Sequence, residues 1–284
     1  HIGPLGDLQR AAGVLLHDDD GLPQLFVHGF DLLEDVMDDD GRQTQGGLIE
    51  EQDLRLLNQR PGNLQHALLS PAHVAGQLVA LFGEQELLQE GIDLAVHSMK
   101  DLPTRQPEGL AVTGVLKREN PLDVLVSKHG MKLAELPENA KIGTSSVRRK
   151  SQLLAYRPDF EIVPFRGNVP TRLNRLQVMP IDAIVLAAAG LKRLGLEDKL
   201  TEYIEPDIIL PSPGQGSIAI ETRIRDNEII DMVSGLEDVK SRTEVLAERQ
   251  LLELLGGGCQ APIGALAEID GEGITLRAVV ASPE

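Results

Sequence analysis

Residues 92–235 predict an α/β fold. Short apolar runs of five to seven residues alternate there with helix-like stretches. The turns between them are rich in glycine, proline, serine and threonine. Strands alternating with helices imply parallel βαβ units. A third observation extends the fold. An amphipathic stretch at 242–255 is followed by two apolar runs around Asp270-Gly271-Glu272-Gly273, which predicts a helix and a hairpin.

The elements follow in order. Residues 92–97 read as a strand whose continuation places His97 and Met99 on one face and Ser98 and Lys100 on the other. Residues 110–116 and 123–127 are two further strands. Residues 141–142 lead through Gly143-Thr144-Ser145-Ser146 into a helix that runs to Tyr156. A strand at 161–165 precedes a short helix at 169–176, and a buried strand at 181–186 precedes a helix at 187–194. A strand at 217–221 and a helix at 227–234 complete the α/β pattern, and hairpin strands are expected at 263–269 and 274–281. Residues 1–84 show no comparable order. Asp18-Asp19-Asp20-Gly21 and Asp38-Asp39-Asp40-Gly41 read as solvated turns, because neither supplies the alternating ligands and distal glutamate of a calcium loop.

Composition excludes several classes. Of 284 residues, 42% are hydrophobic and 25% charged, which is ordinary for a globular protein of two or three domains. No run approaches the ~20 apolar residues of a membrane span, and no basic segment precedes an apolar one as in a signal peptide. No membrane partner is expected. The net charge of −17 argues against nonspecific nucleic-acid binding, which needs a basic surface. That charge is uneven. Residues 1–84 hold four arginines, no lysine and fourteen acidic residues, a balance of −10, whereas all nine lysines lie at Lys100 or beyond.

One cysteine, Cys259, cannot form an internal disulfide or by itself a structural zinc site, and it fits a reducing cytosol. It follows Gly256-Gly257-Gly258 at the end of the 242–255 helix. Two readings stand side by side. The thiol is a small hydrophobe packed inside, or it is presented on an open loop freed by glycine. No metal site is expected.

Six segments occur in a fixed order: His97-Ser98-Met99-Lys100-Asp101-Leu102-Pro103, Gly143-Thr144-Ser145-Ser146-Val147-Arg148-Arg149, Arg166-Gly167-Asn168-Val169-Pro170-Thr171-Arg172, Ala189-Gly190-Leu191-Lys192-Arg193, Pro213-Gly214-Gln215-Gly216, and Gly256-Gly257-Gly258-Cys259-Gln260-Ala261-Pro262. In order and spacing, over roughly residues 88–284, the chain resembles the porphobilinogen deaminase (hydroxymethylbilane synthase) family.

The resemblance implies two periplasmic-binding-protein-like α/β lobes joined by two crossing segments, plus a small α+β third domain carrying the cysteine. On this chain the first lobe would take 1–116 with 215–235, the second 121–209 and the third domain 238–284. The implied activity is a transferase of tetrapyrrole and haem biosynthesis. Four porphobilinogen molecules are condensed head to tail, with loss of ammonia, on a dipyrromethane cofactor held by a thioether to Cys259. Hydrolysis then releases hydroxymethylbilane. A cytoplasmic monomer is implied.

Porphobilinogen is a pyrrole bearing an acetate, a propionate and an aminomethyl arm. Its chemistry needs a carboxylate near the pyrrole nitrogen and arginines for the acid side chains. Asp101 lies just past a strand and before Pro103, and strand ends of open α/β sheets are where ligands bind. A carboxylate there hydrogen-bonds pyrrole N–H groups, stabilises the cation left when ammonia departs and assists proton transfer. Lys100 beside it pairs with Asp101 or with a substrate carboxylate.

Arginine binds carboxylates through a planar fork that lysine lacks. The resemblance assigns Arg149, Arg172 and Arg193 to substrate. It assigns Cys259, Ser98, Lys100, Asp101, Thr144, Ser145, Ser146, Arg148, Arg149, Arg166, Gly167, Gly190 and Gln215 to the cofactor. Thr144, Ser145 and Ser146 precede a helix, where N–H groups and hydroxyls form an anion cradle. Gly214-Gln215-Gly216 marks an interlobe crossing, and the lysine of a phosphate-binding loop is missing from it.

Residues 1–84 do not match the family. Its opening strand with a basic residue and a serine has no counterpart here, and only Leu81-Phe82 echoes its lysine-flanked Gly-Leu-Phe loop. The segment reads as a divergent lobe or as a mis-joined or wrong-frame stretch. Because the chain starts at His1 and stops soon after the hairpin, further residues are expected at both ends. Two alternatives remain open: an inactive or mis-joined fragment of the enzyme, and a solute-binding protein for a small carboxylate.

Overall fold

The computed structural model describes residues 92–256, 262–271 and 273–281, with residues 84 and 87–90 and the backbone of 25–27. In chain order the strands are β1 (Leu25–Val27), β2 (Leu94–Ser98), β3 (Leu110–Val115), β4 (Asp123–Ser127), β5 (Lys141–Gly143), β6 (Glu161–Val163), β7 (Ala183–Ala187), β8 (Glu202–Tyr203), β9 (Ile218–Arg223), β10 (Ile263–Asp270) and β11 (Gly273–Val280). The helices are α1 (Val147–Tyr156), α2 (Val169–Val178), α3 (Ala188–Arg193), α4 (Asn227–Ser234) and α5 (Val239–Leu254). The acidic turns at 18–21 and 38–41 lie outside the described residues, as do Gly257, Gly258 and Cys259.

Two sheets form the two α/β lobes. The first has strand order β1-β2-β9-β3 and the second β6-β5-β7-β4-β8. The parallel βαβ expectation holds only in part. Pairs β1–β2, β5–β6 and β5–β7 are parallel, while β2–β9, β3–β9, β4–β7 and β4–β8 are antiparallel. The cause is the chain's route. It leaves the first sheet after β3, builds the second, and returns as β9 wedged between β2 and β3.

The second sheet is covered on both faces, which explains why its central strands are apolar without alternation. Leu125, Ile142 and Val185 meet Leu153 of α1 on one face. Val124, Val126, Ile184 and Leu186 meet Leu176 of α2 and Leu191 of α3 on the other. In the first sheet Met99, Val115 and Ala219 pack with Val245 of α5.

Helix starts are capped as their sequences dictate. Ser146, Asn168, Asp226 and Asp238 accept backbone N–H bonds from the first turns of α1, α2, α4 and α5. The Asp238 cap starts α5 three residues before the expected 242. The face that α5 buries is polar: Ser241, Glu244, Glu248 and Arg249 lie on it beside Val245 and Leu252. Hairpin β10–β11 closes through a two-residue turn in which Gly271 has φ of +59°. Among the described residues no helix is long and apolar enough to cross a membrane.

Candidate active site

Strand β2 runs straight into a 3-10 turn, Met99–Asp101. Met99 is 1% exposed and anchors the turn, its N–H donating to the Ser217 carbonyl at 3.0 Å. Lys100 and Asp101 are half-buried beside it. Burial lowers the Lys100 pKa; the Asp101 charge opposes this, and the Arg149 charge adds to it. Lys100 therefore feels the arginines of the other lobe. His97 turns inward instead, with its Nε2 3.3 Å from Glu221 Oε2.

Facing this turn is a buried cluster on the second lobe. Asp123, at the start of β4, is fully buried, and Arg148 and Arg149 are 6% and 7% exposed. Arg148 Nη1 donates to Asp123 Oδ2 at 2.7 Å and to the Leu210 carbonyl at 2.5 Å. Arg149 donates to Asp123 Oδ1 through Nη2 at 2.7 Å and Nε at 3.1 Å, and to the Val185 carbonyl at 2.9 Å. Gln215 Nε2 adds a bond to Asp123 Oδ1 at 2.9 Å. Burial alone would raise the Asp123 pKa. The two guanidinium charges and their hydrogen bonds outweigh it and hold the carboxyl well below the usual range.

Arg148, Arg149 and Gln215 thus meet at Asp123, and Lys100 lies within electrostatic reach of that cluster. The serine and threonine side chains are partly committed elsewhere. Ser146 caps α1 by accepting from Arg149 N, Thr144 Oγ1 accepts from Ser146 N at 3.2 Å, and Ser145 Oγ accepts from Phe165 N at 2.9 Å. Ser98 precedes the Met99–Asp101 turn without a side-chain capping bond.

Gly167 has φ of +115°, and its turn carries Arg166, whose carbonyl accepts from Arg175. Arg172 lies on α2, and Gly190 and Arg193 on α3, where Arg193 Nη2 reaches the Gly216 carbonyl at 3.3 Å. Cys259 lies outside the described residues.

Four residues matter that sequence reasoning missed: Asp123, Arg118, Glu248 and Arg249. Fully buried Glu248 accepts from Arg118 Nη1 at 2.7 Å, Arg118 Nη2 at 3.0 Å, Gly214 N at 2.7 Å and Ala267 N at 2.8 Å. It thereby ties both crossing segments, residues 116–122 and 204–217, to β10. Position 216 requires glycine on two counts: its φ is +89°, and a Cβ there would overlap the Glu119 carbonyl of the other crossing. The available signal was weak. Asp123 opens an apolar run, and Glu248-Arg249 sits mid-helix among other charges.

Two family models match this chain. One, porphobilinogen deaminase, dipyrromethane cofactor binding domain, covers residues 79–231; the other, porphobilinogen deaminase, C-terminal domain, covers 242–284. The porphobilinogen deaminase of Pelotomaculum thermopropionicum is 51% identical over 201 residues, 71% of this chain and 64% of that protein. That of Desulforudis audaxviator is 53% identical over 199 residues, 70% of this chain and 64% of that protein. The chain therefore spans just under two thirds of the length of these relatives. A lipoprotein of the YaeC family from Enterococcus faecalis aligns with 61% of this chain and 80% of its own at 15% identity and a TM-score of 0.37. The first model alone covers more than half of the residues, and its range holds both the Lys100–Asp101 turn and the Asp123 cluster; the chain belongs to the porphobilinogen deaminase family.

Proposed function

We propose that this chain is a transferase that condenses four porphobilinogen molecules head to tail, with loss of ammonia, and releases hydroxymethylbilane by hydrolysis. The observation that carries this reading is the charge balance at the site. Three cations, Lys100, Arg148 and Arg149, gather around two carboxylates, Asp101 and Asp123, in partly or fully desolvated positions. A ligand bearing several carboxylates fits such an excess. The Lys100–Asp101 turn supplies the acid–base pair that a binding site alone does not need.

Dipyrromethane, held through a thioether to Cys259, would supply the primer for chain growth. Lys100, Arg148, Arg149, Arg166 and the N-terminus of α1 would hold its carboxylates. Arg172 and Arg193 take the acetate and propionate of the incoming substrate. Asp101 receives the pyrrole N–H, steadies the cation left by ammonia and moves the proton to the departing amine. Residues 1–116 with 215–235 and residues 121–209 are the lobes enclosing the site, and 238–284 is the domain that presents Cys259. The protein acts as a cytoplasmic monomer without a membrane or nucleic-acid partner.

A solute-binding protein for a small carboxylate would use the same arginines. It would leave Asp101 and Cys259 without a role. The test is the intact mass of the protein made in cells that produce porphobilinogen, followed by turnover with added substrate. The expected result is an added mass of two condensed pyrrole units mapped to Cys259 and absent from Cys259→Ser. An unmodified wild-type mass overturns the cofactor assignment, and a loaded protein without turnover establishes the inactive-fragment alternative.

A further inference from the structure

We propose that Arg249 of α5 is a positioning residue for Asp101, so that the C-terminal unit sets the geometry of the acid–base turn in the first lobe. The inference rests on the reading of Asp101 given above. Arg249 is 7% exposed and reaches away from its own helix. Its Nη1 donates to the Met99 and Leu102 carbonyls, each at 3.1 Å, and its Nη2 donates to the Pro103 carbonyl. These three carbonyls bracket Lys100 and Asp101 in the chain.

A short 3-10 turn leaves its last carbonyls without partners. Here the return bond, Leu102 N to the Met99 carbonyl, is long at 3.4 Å. One guanidinium reaches all three carbonyls, adding to the Leu102 N bond at Met99 and to a 3.0 Å bond from Gln106 Nε2 at Pro103, and its rigid fork fixes three carbonyl directions at once.

Gly214 also closes on the same turn. A Cβ there would sit 2.9 Å from Met99 Cγ and 3.3 Å from Lys100 N. Gly214 is in turn held by Glu248, the neighbour of Arg249, through a 2.7 Å bond. Two successive residues of α5 thus grip the acid–base turn, one directly and one through Gly214. In sequence the helix leads into Gly256 and Cys259.

Arg249→Lys tests this in the full-length chain. An ammonium keeps the charge but cannot address three fixed carbonyls as a fork does. Three quantities are read: amide hydrogen exchange over 99–104 against β4 and β7, the melting midpoint, and kcat and KM with porphobilinogen. Misplacement of a reacting group by about 1 Å costs on the order of 10²-fold. The expected result is faster exchange confined to 99–104, with kcat lowered by about that factor and KM within about twofold. Unchanged exchange, unchanged kcat, or faster exchange throughout β4 and β7 overturns the positioning role.

If Arg249→Lys does not fold, Gly214→Ala disturbs the same turn through its contact with Met99 and Lys100, and the same three outcomes decide. A wild-type protein without turnover would refute the proposed function alone, and the exchange comparison would still decide whether the grip exists.

Discussion

Replacing Glu248 by glutamine is the most direct probe of what holds the three parts together. The carboxylate is fully buried and accepts four hydrogen bonds, two of them from Arg118, whose side chain is 6% exposed. Glutamine keeps the shape but removes the charge, and its amide N–H2 then faces groups that are themselves donors. Breaking a buried ion pair from one side costs about 3–5 kcal/mol, because the surviving charge stays buried without its partner. Hydrogen bonds to charged groups contribute about 1.5–3 kcal/mol each. Two such bonds lost to the amide give about 3–6 kcal/mol, so the two routes agree.

At about 2–4 °C per kcal/mol for a protein of this size, the melting midpoint should fall by roughly 6–20 °C. Urea unfolding of Glu248→Gln, Arg118→Met and the double variant measures the effect and its origin. The double variant should recover part of the loss, since no charge then remains buried alone. It should still fall short of wild type by about 1–3 kcal/mol for the one backbone N–H, of Gly214 or Ala267, that faces the amide N–H2. A loss below about 1 kcal/mol in Glu248→Gln, the size expected of a surface pair, would refute the reasoning.

Two further outcomes follow from the same region. Because the folded-state pKa of Asp123 is depressed, its stabilisation is fully present above the unfolded value of about 3.9 and is lost as pH falls toward the folded value. Acid unfolding of Asp123→Asn should therefore show a weaker pH dependence below about pH 4 than wild type, and parallel curves would show that Asp123 carries no such linkage. Gly216→Ala should lose at least about 1–3 kcal/mol in chemical denaturation from its positive φ alone, with the Glu119 overlap adding to it. A wild-type midpoint would mean that the crossings shift to admit the methyl.

The chain exposed its elements more readily than its architecture. Strand β4 and helix α4 fall on their expected residues because apolar runs and capping residues are local signals. The two-residue strand β8 was not expected, since Glu202 and Tyr203 carry no strand pattern and pair only through the sheet edge. Antiparallel insertion of β9 is a property of the route between lobes, which periodicity does not encode. Residue types singled out Asp101, Lys100, Arg148 and Arg149 as candidates, because their chemistry is legible one motif at a time. Asp123, Glu248 and Arg249 were missed for the converse reason. Their partners lie 19 to 150 residues away in sequence, and an acid or arginine inside a run gives no sign of where it will point.

The buried face of α5 also bears on what this helix is for. A helix whose task was stability would bury leucines, since exchanging a buried ion pair for apolar side chains of similar volume is often neutral or stabilising. Instead, Leu246 and Leu254 are 49% and 77% exposed, while Ser241, Glu244, Glu248 and Arg249 face inward. Together these four address both crossing segments, β10 and the turn at Asp101. Ser241 accepts from Arg118 N, Glu244 from Ile269 N, Glu248 from both crossing segments and β10, and Arg249 donates to the carbonyls around Asp101. Apolar packing would tolerate small slides among these pieces, whereas directional bonds to fixed backbone atoms do not. The proposed site draws Asp101 from one sheet and its arginines from another, so its geometry would depend on how the crossings between the sheets are held. Polar burial at α5 fixes that orientation, and it is why a loss at Glu248 should appear in stability while a loss at Arg249 appears in turnover.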